Sequence, residues 1–185
     1  MVTDNFKITV HMVTSLDGFI AKKDNSVSWF ETSSEYEKGI DSEDPIEFLK
    51  TIDCYVMGSR TYELALELSK EYGWAYGDKP VFVLTTRNLT SEKSIIEFHS
   101  GDLPYFVEEK LKPKFKQIWV VGGSQLVGEF IRLKLADEIR VSILPIILGD
   151  GLKFFEHVSQ EQKLKLTDSK TYKNGMVEIC YRLEK

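Results

Sequence analysis

Three strand ends carry the residues of this chain best suited to chemistry. In Gln117-Ile118-Trp119-Val120-Val121-Gly122-Gly123-Ser124-Gln125-Leu126-Val127 an apolar strand runs into a glycine pair and then directly into a helix. Glycines lack a Cβ and let a diphosphate approach the main chain, while the first turn of a helix offers unpaired N–H donors at a positive dipole end. Taken alone, the pair is equally a turn between strand and helix. Met57-Gly58-Ser59-Arg60-Thr61-Tyr62-Glu63 repeats the strand, glycine, helix order with an arginine in the first helical turn. A cation there opposes the dipole, which an anion seated against it would explain, and a guanidinium fork suits phosphate. The alternative is a solvated surface arginine. Leu84-Thr85-Thr86-Arg87 adds two hydroxyls and a second guanidinium at a third strand end. Ligands of open α/β sheets gather at the carboxyl ends of strands, so the three segments together point to a nucleotide cofactor.

Several other chemistries lack their residues. The Gly-x-Gly-x-x-Gly fingerprint is absent, and where a P-loop framed by Gly123 and Gly128 needs Lys and Ser or Thr, Glu129 and Phe130 stand instead. There is no Gly-x-Ser-x-Gly elbow for a hydrolase. Cys54 and Cys180 both fall in strand-like runs and are expected as buried free thiols, and three scattered histidines give no metal-ligand spacing. The formal charge is 24 − 29 = −5 with no basic cluster, which argues against nucleic acid or an acidic membrane as partner. No apolar run approaches the roughly 20 residues that span a bilayer, and the polar start is unlike a signal peptide, so a soluble cytoplasmic protein is expected. Asn88-Leu89-Thr90 is then a chance glycosylation match.

The elements that position these residues alternate between strand-like and helix-like patterns over 185 residues with 42% hydrophobic content, enough for one domain with a real core. Strands are expected at Phe6 to Val13, around Phe19-Ile20-Ala21, at Cys54 to Met57, Val81 to Thr85, Ser94 to Phe98, Gln117 to Gly122 and Glu138 to Leu144. Helices are expected from Asp44-Pro45, after Gly58 with Tyr62, Ala65, Leu66 and Ser69 on one stripe, from Asp102 to Leu111, and from Gln125 to Leu133. Lys173-Asn174-Gly175 predicts a closing hairpin with a tight two-residue turn, followed by alternation at Val177, Ile179, Tyr181 and Leu183. Helical crossovers make strands parallel and a hairpin makes them antiparallel, so the sheet should be mixed.

In this order the segments resemble the dihydrofolate reductase superfamily. Ile8 to Ala21 is similar to its first strand and active-site loop, with Trp29 near that loop's tryptophan. Met57 to Glu63 is similar to its Met-Gly-Arg-x-Thr-Trp-Glu segment, and Val120-Val121-Gly122-Gly123-Ser124 to its diphosphate-binding glycine pair. Ser15-Leu16-Asp17-Gly18 and Pro145-Ile146-Ile147-Leu148-Gly149-Asp150-Gly151 resemble more closely the reductase domain of the bifunctional riboflavin-pathway deaminase-reductase. The zinc motif of the deaminase is absent, so a reductase domain standing alone is expected, a single domain over residues 1–185.

The resemblance implies an α/β, dihydrofolate reductase-like, three-layer α/β/α fold with a mixed, mostly parallel central sheet and a C-terminal antiparallel hairpin. It implies NADPH-dependent reduction of a carbon–nitrogen or carbonyl bond, as by 5-amino-6-(5-phosphoribosylamino)uracil reductase, and a homodimer joined near Ile143 to Leu148 and the closing hairpin. The implied cofactor residues are Gly122, Gly123, Ser124 and Gln125 for the diphosphate and Ser59, Arg60, Thr86 and Arg87 for the 2′-phosphate, with Gly58, Thr61, Thr85 and Leu126 also binding the cofactor. Val13 and Ile20 are implied to contact the nicotinamide. Asp44, four residues before Phe48, matches a substrate-binding carboxylate and candidate proton source, though Asp44-Pro45 also reads as a helix cap. Asp17 is either a turn residue or a polar contact beside the nicotinamide, and Trp29 lines a substrate pocket or belongs to the core. The chain departs from the riboflavin-pathway pattern after Thr61, where Tyr62 to Leu68 continues as helix in place of an Asp-Asp-Pro phosphoribose grip. It departs also at Val27 and in the acidic stretch Glu31 to Asp44. Two other readings stand beside this one: a dihydrofolate reductase proper, and a non-catalytic NADPH-binding module.

Overall fold

The computed structural model describes residues 6–33, 45–156 and 158–184. In chain order these form β1 (Lys7–Ser15), β2 (Phe19–Ala21), a 3-10 turn (Ser28–Ser33), α1 (Pro45–Thr51), β3 (Cys54–Gly58), α2 (Ser59–Tyr72), β4 (Val81–Leu84) and β5 (Ile96–His99). There follow α3 (Leu103–Phe106), β6 (Gln117–Gly122), α4 (Ser124–Arg132), β7 (Glu138–Leu144), β8 (Leu152–Lys153), β9 (Leu164–Thr171) and β10 (Val177–Leu183). The main sheet has eight strands in the order β5-β4-β3-β6-β1-β7-β10-β9. From β5 to β7 all neighbours are parallel, while β10 is antiparallel to both β7 and β9. The expected mixed, mostly parallel sheet is therefore what forms. β2 and β8 pair separately as a small antiparallel ribbon beside it.

Helices cover both faces. On one, Phe106, Val127, Phe130 and Ile131 from the α3 and α4 side pack on Ile8, Val10, Val56, Ile118, Val120 and Ile139. On the other, Tyr62 and Leu66 of α2 and Phe48 of α1 pack on Tyr55, Met57, Val81, Val83, Trp119 and Val121. Removing one such aromatic or branched side chain from water contributes about 1.5–3 kcal/mol, so both layers are held firmly against the sheet. Among the described residues no helix is long and apolar enough to cross a membrane.

Local signals set the element ends. Asp102 Oδ1 accepts from Tyr105 N at 2.8 Å and so caps α3, with Pro104 in the first turn where its missing N–H costs nothing. The helix expected from Asp102 to Leu111 does run through, but over Val107–Leu111 it widens to a π-turn, with Lys112 N bonded to Val107 O at 2.9 Å. α2 stops at Gly73, whose φ of +79° turns the chain while its N–H bonds Ser69 O. Lys79 Nζ donates to the carbonyls of Leu49 and Ile52, fixing the C-terminal end of α1 against the strand that follows.

One expectation at the C-terminus needs correction. The closing loop is not a two-residue turn: Gly175 N bonds Tyr172 O, Tyr172 N bonds Met176 O, and only Gly175 takes a positive φ, at +85°. Asn174 instead spends its side chain on Met176 N at 3.0 Å, which makes a three-residue loop the better closure. The strand expected after the turn forms as β10, but its apolar residues Val177, Ile179 and Tyr181 are not its most buried ones. Glu178 (3% exposed) and Cys180 are buried, whereas Val177, Ile179 and Tyr181 are half-buried, because both faces of this strand are covered and residue type no longer reports the inner side.

Candidate functional site

The glycine junctions meet at the carboxyl ends of β3 and β6, which are parallel neighbours in register at Met57 and Gly122. Gly58 and Gly123 occupy the cap positions of α2 and α4, and neither helix has a side-chain cap, so first-turn N–H groups of both are left for a ligand. A methyl group built on Gly58 would lie 3.7 Å from Gly123 N, and one on Gly123 would lie 3.6 Å from Thr61 Oγ1. The gap between the two helix starts is therefore as wide as it is because two side chains are missing from it. Gly122 has φ +135°, a conformation reserved for glycine, and the peptide between it and Gly123 is cis. In the first turn of α4, Gln125 is exposed, Leu126 packs against the core, and Ser124 Oγ donates to Glu156 Oε2 at 2.9 Å.

Beside this cradle the end of β4 brings Thr85, Thr86 and Arg87 toward α2. Arg87 N bonds Thr85 Oγ1 at 3.0 Å, and its guanidinium makes a bidentate pair with Glu63 at 2.9 and 2.5 Å. That hydrogen-bonded pairing holds the Glu63 carboxyl below its ordinary range and raises Arg87. Arg60 is exposed one turn earlier on the same helix, and its charge also bears on Glu63. Sequence reasoning missed Glu63 as a partner of this group. Nothing local marks it, since the pair spans two elements.

Asp17 organises two loops. Its carboxylate accepts from Ser15 Oγ at 2.6 Å, Leu148 N at 3.1 Å and Gly149 N at 2.7 Å, and the Ser15 bond foremost lowers its pKa. An oxygen pair with three donors is a clasp between the β1–β2 loop and the β7–β8 loop. Gly151 completes the contact, because a Cβ there would lie 2.2 Å from Ala21 O.

Trp29 is 4% exposed and packs with Leu144, Tyr172 and Met176, with Val13 against them, so it is a core residue that also backs the end of β1. Val13 and Ile20, expected together at one ring, pack against different clusters: Val13 joins Trp29, and Ile20 the α4 side. Asp44 lies outside the described residues. Cys54 and Cys180 are buried free thiols as expected, and burial pushes both up, Cys180 to about 11. Among the described residues no group of His, Cys, Asp and Glu could hold a metal.

Below Val13 on the α1 face lies a polar cluster that sequence reasoning did not single out. Arg140 Nη1 donates to Glu178 Oε1 at 2.8 Å, Ser142 Oγ to Glu178 Oε2 at 3.2 Å, and His11 Nε2 lies 3.1 Å from Ser142 Oγ. The His11 ring stacks on Trp119 at 4.9 Å and meets the Phe48 edge at 5.2 Å. Burial first, and then the Arg140 charge, lower its pKa to about 3. The hint in the sequence is a glutamate set between Val177 and Ile179 in a strand-like run.

Comparison with known proteins agrees with this fold. The family model of the RibD C-terminal domain matches residues 6–178. The Bacillus subtilis (strain 168) protein YwjB, itself uncharacterised, is 30% identical over 167 residues, covering 90% of this chain and 92% of its own. A structure assigned to riboflavin biosynthesis from Shewanella sp. PV-4 superposes with TM-score 0.81 at 23% identity, over 97% of this chain and all of that one. Dihydrofolate reductase of Enterococcus faecalis in complex with NADP(H) shares the fold at TM-score 0.60 and 14% identity, over 97% of each chain. With a dihydrofolate reductase-like sheet, two glycine-capped helices at its switch point and a family match over nearly its whole length, the chain belongs to the RibD C-terminal domain family.

Proposed function

We propose that this protein is an NADPH-dependent reductase that delivers a hydride to a C=N or C=O bond of a small substrate, similar to the 5-amino-6-(5-phosphoribosylamino)uracil reductases of riboflavin biosynthesis. One observation carries the reading: a Cβ on Gly58 would lie within 4 Å of Gly122 O and Gly123 N, and one on Gly123 within 4 Å of Thr61 Oγ1, around two helix ends that lack side-chain caps. That geometry fits a diphosphate, which needs backbone donors and no Cβ in its way.

Gly122, Gly123, Ser124, Gln125 and Leu126 then hold the diphosphate, with Gly58 and Thr61 on the other wall. Ser59, Arg60, Thr85, Thr86 and Arg87 face the 2′-phosphate, Arg87 being held ready by Glu63. When bound, the cofactor supplies the hydride. The protein's share is position: Val13 and Ile20 flank the ring, Trp29 backs Val13, and Asp17 clasps the loops that shield the site from water. Asp44 is the candidate proton source and substrate carboxylate. The expected setting is a cytoplasmic homodimer that joins through the Ile143 to Leu148 run and the closing hairpin.

Titration with NADPH and NADH, read by tryptophan fluorescence, followed by NADPH oxidation with a substrate panel, tests the reading. Oxidation driven by the phosphoribosylaminouracil or another small imine supports it. Turnover of dihydrofolate alone makes the protein a dihydrofolate reductase, and tight binding without turnover makes it a binding module. No binding of either nucleotide refutes all three.

A further inference from the structure

The cluster below Val13 draws on three strands. Register sets His11 opposite Arg140, Val13 opposite Ser142, and Ser142 opposite Glu178, so these side chains share the α1 face with Trp119. The directions of their hydrogen bonds are determined by chemistry. A carboxylate only accepts, so the Ser142 hydroxyl proton is committed to Glu178 Oε2. Ser142 Oγ is then an acceptor for His11, and Nε2 must carry the hydrogen. In a neutral imidazole this leaves Nδ1 as a bare lone pair, and it is buried with no hydrogen-bond partner among the described residues. Trp119 and Phe48 hold the ring in place. The guanidinium of Arg140 is engaged by Glu178 and lies 4.3 Å over the Phe48 ring, so the two charges cancel within the cluster.

We propose that His11 Nδ1 is a recognition point for a neutral N–H donor of the substrate, of the cyclic amide or ring-amine kind, and that Ser142 and Glu178 are positioning residues that fix it as an acceptor. This rests on the reductase reading, in which the neighbouring Val13 flanks the reacting ring. A buried acceptor lacking a partner discriminates strongly, because a ligand without the donor leaves it unpaired. The low affinity of His11 for a proton agrees with the neutral form.

Imidazole-15N-labelled protein, with and without NADPH, gives the test through long-range 15N–1H spectra at neutral pH. The expected result is the Nε2–H tautomer of His11, with an Nδ1 resonance that moves on adding uracil but not 1,3-dimethyluracil, which has no N–H. Ser142→Ala should lose the tautomer preference and Ser142→Thr restore it, in protein shown folded by circular dichroism. An Nδ1–H tautomer, an imidazolium, an equal response to both pyrimidines or no response to either overturns the proposal. If NADPH itself fails to bind, the reductase reading falls, while the tautomer and the uracil response still decide this one.

Discussion

Acidification from pH 7 to pH 5 should cost this protein stability specifically through His11. Its folded pKa is lowered from 6.5 to about 3, chiefly by burial and further by the Arg140 guanidinium. Glu178, 4.0 Å away, would normally oppose that shift, but its charge is already taken up by Arg140 at 2.8 Å. Because the folded value lies below the unfolded one, the unfolded chain binds a proton that the folded chain refuses throughout the interval between them. Above 6.5 the histidine is neutral in both states and contributes no pH dependence. As pH falls through 6.5 toward 3, stability is progressively lost, and below 3 the loss levels off. At pH 5 the deficit is about 1.5 pH units times 1.36 kcal/mol, or roughly 2 kcal/mol, a large part of a typical domain's margin. A folded value one unit higher leaves this figure nearly unchanged. Urea unfolding of the wild type and His11→Gln at pH 7 and pH 5 isolates it, since every other titrating group is common to both proteins. The wild type should lose about 2 kcal/mol more than the variant between the two pH values. Equal losses, or an imidazole that titrates near its ordinary value in the folded protein, would refute the argument.

Gly123→Ala should fold normally, because φ at this position is −75° and the new methyl meets only Thr61 Oγ1 at 3.6 Å, yet NADPH affinity should fall at least about tenfold as the methyl enters the cradle; fluorescence titration checks it. Arg87→Ala should leave the melting temperature unchanged, its ion pair with Glu63 being exposed, while the preference for NADPH over NADH drops by roughly tenfold in parallel titrations. Asp17→Ala should speed hydrogen exchange at the amides of Leu148 and Gly149, which lose their acceptor, without moving exchange in β6. Cys54 and Cys180 should resist a thiol reagent in native protein at pH 8 and react only on unfolding, since burial both shields them and keeps them protonated.

The strand, glycine and helix junctions at Gly58 and Gly122 were legible because their physics is contiguous. A missing Cβ, a capless first turn and an apolar run are properties of residues next to one another in the chain, and so was the helix start at Asp102. The mixed sheet followed from the same local patterns. The tight turn at Asn174-Gly175 was read wrongly because two loop lengths share that dipeptide, and the flanking pairing of Tyr172 with Met176 decides between them.

What the chain settled by itself was the order of its main elements and the two strand-glycine-helix junctions, each encoded within a dozen neighbouring residues. Only the tertiary structure decided that Glu63 holds Arg87, that Asp17 clasps a distant loop, and that His11, Ser142 and Glu178 form one hydrogen-bonded chain. His11 and Ser142 are 131 positions apart, and they meet because β1 lies between β6 and β7 in one particular register. Strand order and register arise from the packing of whole faces, so no local pattern announces which buried glutamate will find which histidine.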